Sequence, residues 1–204
     1  MGMLLDAVNA WVALQDTTYE FLLGRSKNWS ASFTLDFQPS DFPHLAGVHY
    51  ADDVDFGINR AELHSAKFIA KLLSGYIDDD LIERAAAWNS KIKNRLECII
   101  VLERILDADF LIYKFEQKRV PHGSTLCAEY VIKYADTDLA LFVFVDHDMH
   151  TRWFCRSVFQ SSSADYTINQ TRLTVLKKRK LKNGELNIDY THPNYKEVTC
   201  STRP

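Results

Sequence analysis

The chain is short of most features that settle a function at a glance. No apolar run approaches the roughly 20 residues needed to span a bilayer, so no transmembrane helix is expected. The stretch Met1 to Leu14 has no basic region and no small-residue cleavage site, and it carries Asp6. It reads as a helix of the mature chain, not a signal peptide. Cys98, Cys127, Cys155 and Cys200 are far apart and make no Cys-x-x-Cys pair. That argues against a zinc ribbon or a redox dithiol, and a reducing, cytoplasmic setting is expected. There is no Walker loop, no G-x-G-x-x-G turn and no G-x-S-x-G elbow, and no cofactor is expected. Strong charge of one sign is also missing. A net charge of −3 excludes a globally basic nucleic-acid binder but leaves room for a local basic patch. No internal repeat is present.

What is present is enough apolar residue, 47% of 204, for a proper core. One domain over 1–190 with a loose tail over 191–204 is expected. Leu4 to Leu23 carries apolar residues at helical spacing and predicts an amphipathic helix stopped by Gly24. Ala31 to Phe37 alternates and predicts a strand. Asp41 and Pro43 predict the start of a short helix. Asn59 to Ser74 reads as a helix, Asp78 as the next N-cap, and Leu81 to Asp107 as a long helical stretch open to a break at Asn89 and Ser90. Lys91, Lys93, Arg95 and Arg104, mixed with Glu97 and Glu103, read as a solvated helix face. From Phe110 the period becomes two. Strands are predicted over Phe110 to Glu116, Thr125 to Tyr134, Leu139 to Asp146, Thr151 to Gln160 and Thr171 to Lys180. Leu141 to Val145 is apolar throughout and predicts a central strand covered on both faces. The fold expected is α+β: N-terminal helices packed on one face of a C-terminal antiparallel β-meander.

Three groupings can carry chemistry. His44 and His49 flank Gly47. They are either a buried turn in which one imidazole bonds to backbone, or an acid–base pair at the edge of a cleft. Arg156 lies in an aromatic strand with Ser157, followed by a loop holding Tyr166, Thr167, Gln170 and Thr171. An arginine beside clustered hydroxyls and amides suits a phosphate, and it also suits an ordinary hairpin. In the strand phase, Phe154, Arg156 and Val158 share one side, and Trp153, Cys155, Ser157 and Phe159 the other. The basic run from Lys177 to Lys182, with Lys177, Lys178, Arg179 and Lys180 at its head and Arg172 before it, is either an RNA-backbone patch or a solvated edge strand. His147, Asp148 and His150 are metal-ligand types, but nothing supplies further ligands at recognisable spacing, and no metal is expected.

Three segments together resemble a known family. Phe42, His44, Leu45, Gly47 and His49 form the first. Cys155, Arg156, Ser157 and Phe159 form the second. Asp165, Tyr166, Thr167, Gln170 and Thr171 form the third. In this order they are similar to the fourth family of phage barnase–EndoU–colicin–RelE-like nucleases of mobile elements and polyvalent phage proteins, over roughly Leu4 to Leu186. The resemblance implies a helical N-terminal part and a small antiparallel sheet. It implies metal-independent RNA cleavage through 2′-hydroxyl attack, giving a 2′,3′-cyclic phosphate. His44 or His49 would then be acid or base, and Arg156 would hold the scissile phosphate. Tyr166, Thr167 and Thr171 would line the site. Ser157, Gln170, Arg172, Lys177, Lys178 and Arg179 would contact RNA. A cognate inhibitor protein is a possible partner, and no membrane partner is expected. One departure is Asn169, where the family loop has glycine; asparagine tolerates the left-handed backbone. The competing reading is a non-catalytic RNA- or protein-binding module of a mobile element.

Overall fold

A computed structural model describes residues 2–26, 29–135, 140–149 and 152–196. The first helix, α1 (Met3–Leu14), buries Leu4, Ala7, Val8, Trp11 and Leu14. It ends well before Leu23. The next residues also fit a period of two, and that pattern wins: Thr17, Tyr19, Phe21 and Leu23 are the buried ones. They form β1 (Thr17–Ser26), which pairs antiparallel with β2 (Trp29–Leu35) on one edge. β-Branched and aromatic side chains favour the strand, and pairing on both edges fixes it.

Short helices follow: α2 (Phe42–Leu45), α3 (Arg60–Leu63), α4 (Ala66–Leu73) and α5 (Asp79–Glu83). Asn59 and Ser65 cap α3 and α4 in turn, so the helix expected over Asn59 to Ser74 is split in two. Asp78 caps α5 by accepting from the Leu81 amide at 3.0 Å. A wide π-type turn over Trp88–Ile92 leads into α6 (Lys93–Ile100), and a break at Val101 precedes α7 (Leu102–Asp107).

The remaining strands are β3 (Leu111–Lys114), β4 (Tyr130–Ala135), β5 (Ala140–His147), β6 (Trp153–Ser161), β7 (Thr171–Lys182) and β8 (Glu185–Thr191). β3 to β6 run as a meander. The whole sheet is not one. β7 returns to pair with β3 through its first residues and with β1 along its length. β2 meets β6 in parallel at a single position, Leu35 opposite Trp153. Seven strands thus close into a barrel, and β8 is added outside on β7. The segment from Thr17 supplies the two closing strands. β8 is a strand the alternation did not predict, and it runs to Thr191, the first residue of the expected tail; Asn183 and Gly184, at φ 52° and 79°, make its hairpin turn.

Phe33 of β2 touches Phe21 of β1, Tyr130 of β4 and Trp153 of β6, at centroid distances of 5.0, 5.3 and 4.9 Å. β2 and β4 are not sheet neighbours, so these rings lie inside the curl. The same core continues into α1, α6 and α7. Leu141, Val143 and Val145 of β5 face it, while Phe142 and Phe144 face a second cluster with Phe115, Val120 and Val131. β5 is therefore covered on both sides. α2 and α6 lie against β6, beside the seam where β2 and β6 barely join.

Candidate functional site

The seam holds the candidate site. α2 is anchored by buried Phe42, Pro43 and Leu45, leaving His44 exposed. Asp41 just before it receives two hydrogen bonds from Arg152, at 2.8 and 2.9 Å, and Arg152 also binds Asp36 at 3.0 Å. This fork ties the start of α2 to β2 and to the turn before β6. After α2 the chain bends at Gly47, whose φ is 77°. A Cβ there would sit 2.8 Å from Arg95 Cδ, so both the backbone and the neighbour demand glycine. The bend folds His49 back onto His44. Their rings stack at 4.8 Å and 15°, and Tyr50 lies 4.0 Å from His49.

Two arginines approach this pair. Arg95 of α6 donates through Nη1 to Ser157 Oγ at 2.9 Å and to the Leu45 carbonyl at 3.5 Å. Its guanidinium lies between the Tyr50 and Phe159 rings, at 5.6 and 5.7 Å. Arg156 of β6 is half-exposed and pairs with Asp146 at 3.4 Å. A β-bulge sets its direction. Val145 pairs with Cys155 and Phe144 with Ser157, so Arg156 is the extra residue of the ladder. The bulge also reverses the strand phase. Cys155 and Val158 both enter the inner core and Phe159 packs on the outer cluster, which corrects the simple alternation expected for Trp153 to Phe159.

The electrostatics agree with this proximity. Partial desolvation of the His44 ring by the packed turn lowers its pKa, and Arg156, Arg95 and His64 push it down further, against a smaller opposing pull from Asp41. His49 is pushed down to about 4, first by burial and then by His44, Arg95, His64 and Lys91. Its Nδ1 is buried with no hydrogen-bond partner among the described residues. Both imidazoles are therefore neutral at neutral pH, and cations outnumber carboxylates among the charges that act on them. That field suits an anion, and a neutral imidazole can accept a proton.

The structure stacks His44 on His49, sets Arg156 within electrostatic reach of His44, and ties the turn through Arg95 to Ser157 and to the cleft that Tyr166 lines. Tyr166 packs on Phe142, Phe144 and Phe159 at 5.3–5.5 Å and lines one cleft with Arg95. The other predicted residues sit elsewhere. Thr167 is buried in a turn, with its amide and hydroxyl both bonded to Asp165 at 2.9 and 2.6 Å. Gln170 clasps the backbone of Glu116, accepting at 2.7 Å and donating at 3.1 Å. Asn169 takes φ 62°, the left-handed conformation. Thr171 and Arg172 pair with β3, away from the histidines.

The basic run divides by strand parity. Lys177 and Arg179 line an outer groove of about 690 Å³, and Arg179 pairs with Glu20 at 2.9 Å. Lys178 is buried and donates to the carbonyls of Leu106, Asp107 and Ala108 at 3.2, 2.8 and 2.8 Å. It closes the C-terminus of α7 and has no ammonium to offer RNA. Lys180, also buried, is held by Glu103 and Asp107. β7 is paired on both edges, so the run is not a solvated edge strand either. His150 and Cys200 lie outside the described residues.

The charged neighbours of Arg95 in sequence suggest a solvated face. Yet Trp88, Ile92, Arg95 and Ile99 fall on one helical stripe, and the other three are buried. A cation inside an apolar stripe was the available signal. The remaining landmark, the bulge at Arg156, leaves no mark in the residue pattern.

The family model described as phage-Barnase-EndoU-ColicinE5/D-RelE like nuclease4 matches residues 3–192. No curated protein and no solved structure matches the chain.

Proposed function

Because the chain belongs to the family of phage-Barnase-EndoU-ColicinE5/D-RelE like nucleases numbered four, we propose that it is an endoribonuclease that works without a metal at the His44–Arg156 seam. The observation that carries this reading is the stacked His44–His49 pair, with the charge of Arg95 acting on both rings and that of Arg156 on His44. A scissile phosphodiester sits against Arg156, whose planar fork fits phosphoryl oxygens and offsets charge that builds on them. His44, the exposed member, takes the proton of the adjacent 2′-hydroxyl. The 2′-oxygen bonds to phosphorus, the bond to the 5′-oxygen breaks, and the histidine pair returns a proton to that leaving oxygen. The products are a 2′,3′-cyclic phosphate and a 5′-hydroxyl. Arg95, Arg156 and Lys91 add positive charge around the pair, which works against a divalent cation there and favours the metal-free route. Thr167, Gln170 and Asp165 shape the loop that carries Tyr166 and act on substrate only through it.

The test is RNA cleavage by the wild type and by the double variant His44→Ala/His49→Ala. The variant loses cleavage while its circular dichroism is unchanged. Cleavage at the wild-type rate by a folded double variant removes the histidines from the mechanism.

A further inference from the structure

A second cleft opens on the other side of Tyr50. It has a volume of about 290 Å³ and is lined by Tyr50, Lys91, Arg95, Phe159 and Tyr166 among others. No carboxylate lines it among the described residues. Its two cations are set on aromatic faces. Lys91 Nζ lies 4.4 Å above the Tyr50 ring, and Arg95 bridges Tyr50 and Phe159. Arg95 is held by Ser157 and the Leu45 carbonyl, so its plane is fixed before any ligand arrives. The floor is fixed too. The Asn94 side chain pairs with both backbone groups of Gln160, donating at 3.2 Å and accepting at 2.7 Å, and so seals the free edge of β6. Tyr50 is the wall shared with the histidine pair, 4.0 Å from His49.

Cations without carboxylates select an anion, and the half-buried aromatic rings beside them favour a flat ring. The combination fits a nucleotide. We propose that this cleft is a nucleotide subsite: Arg95 and Lys91 take a phosphate, and the base stacks on Tyr50 or Tyr166. The assignment rests on the nuclease reading only for its role. In that role it seats the nucleotide next to the one whose phosphate meets Arg156. Stacking and charge work for every base, so the subsite supplies affinity and register with little sequence preference.

The probe is adenosine 5′-monophosphate, titrated by calorimetry and by amide chemical shifts, with adenosine and inorganic phosphate as fragments. The monophosphate binds about tenfold or more tightly than either fragment. Lys91→Ala, at an exposed position, weakens it about tenfold, and Tyr50→Leu does the same through the lost ring. His44→Ala loses RNA cleavage but keeps the monophosphate affinity within about twofold. If the monophosphate binds no better than phosphate, or if Lys91→Ala and Tyr50→Leu both leave it unchanged, the subsite is refuted. The same holds if binding is lost in His44→Ala instead. Binding that depends on Lys91 in a protein that cuts no RNA keeps the subsite and overturns the nuclease mechanism alone.

Discussion

Lys178 gives the sharpest contrast between a structural and a nucleic-acid reading. Take Lys178→Met, which keeps the length of the side chain and removes the ammonium. In the wild type that ammonium satisfies three carbonyls at the end of α7 and opposes the negative end of the helix dipole. Bonds to a charged donor are worth about 1.5–3 kcal/mol each, and burying the ammonium costs part of that back. The same burial pushes the Lys178 pKa down, in keeping with a real desolvation cost. The net loss on replacement is about 2–4 kcal/mol. For a chain of this size that lowers the melting temperature by roughly 5–15 °C. Lys177→Ala and Arg179→Ala, on the outer side of the same strand, cost less than about 1 kcal/mol. The assay is thermal melting of all three variants, with RNA binding measured well below each midpoint. Lys178→Met melts early and binds RNA with wild-type affinity. A variant that melts like the wild type yet loses RNA affinity would place the ammonium on RNA and refute the reasoning.

The depressed histidines give a pH prediction. His49 is neutral in the fold down to about 4 but titrates near 6.5 when unfolded, so the unfolded chain binds the extra proton first. Its contribution is full above pH 6.5 and is lost as pH falls from 6.5 toward 4. Melting at pH 7 and pH 4.5 should differ in that direction, and a flat profile in the wild type that matches His49→Ala contradicts it. The acid limb of cleavage depends on neutral His44, whose pKa is also lowered, so kcat/KM stays level down to pH 6.5 and falls only below it. A limb centred above 6.5 would exclude His44 as the base. Gly47→Ala strains a backbone at φ 77° and pushes a methyl against Arg95. It costs about 1–3 kcal/mol and lowers cleavage further than the melting loss explains, because Arg95 is displaced. Wild-type melting and cleavage together would show that the bend is not needed.

Much of the fold could be read from residues whose patterns answer to one period only. Leu141 to Val145 has no polar face, and β5 is covered on both. Asp78 has a helix directly after it and caps it. The failures come where two patterns coexist. Thr17 to Leu23 fits both a helix and a strand, and only its pairing with β2 and β7 decides. The barrel closure follows from that choice, so the expected meander holds for β3 to β6 and not for the whole sheet. Asn183-Gly184 is a strong hairpin signal, but the strands on either side of it are rich in charged and polar residues and show little apolar alternation. Lys178 and Lys180 differ from Lys177 and Arg179 only in parity, which acquires meaning once α7 is known to lie beneath. For the candidate site, the histidine turn and Arg156 were visible as residue types. Arg95 and the bulge were not, because one was hidden among helix charges and the other is a register event between strands.

The central claim is a 2′-hydroxyl reaction at the His44–Arg156 seam, and the most direct measurement is end-group mapping of RNA cut by the wild type in EDTA. A matched substrate carries a single 2′-deoxy residue at the cleavage site. The account predicts 2′,3′-cyclic phosphate and 5′-hydroxyl ends, undiminished by EDTA, and no cut at the 2′-deoxy position. Cleavage at that position, or loss of all cleavage on chelation, would contradict it.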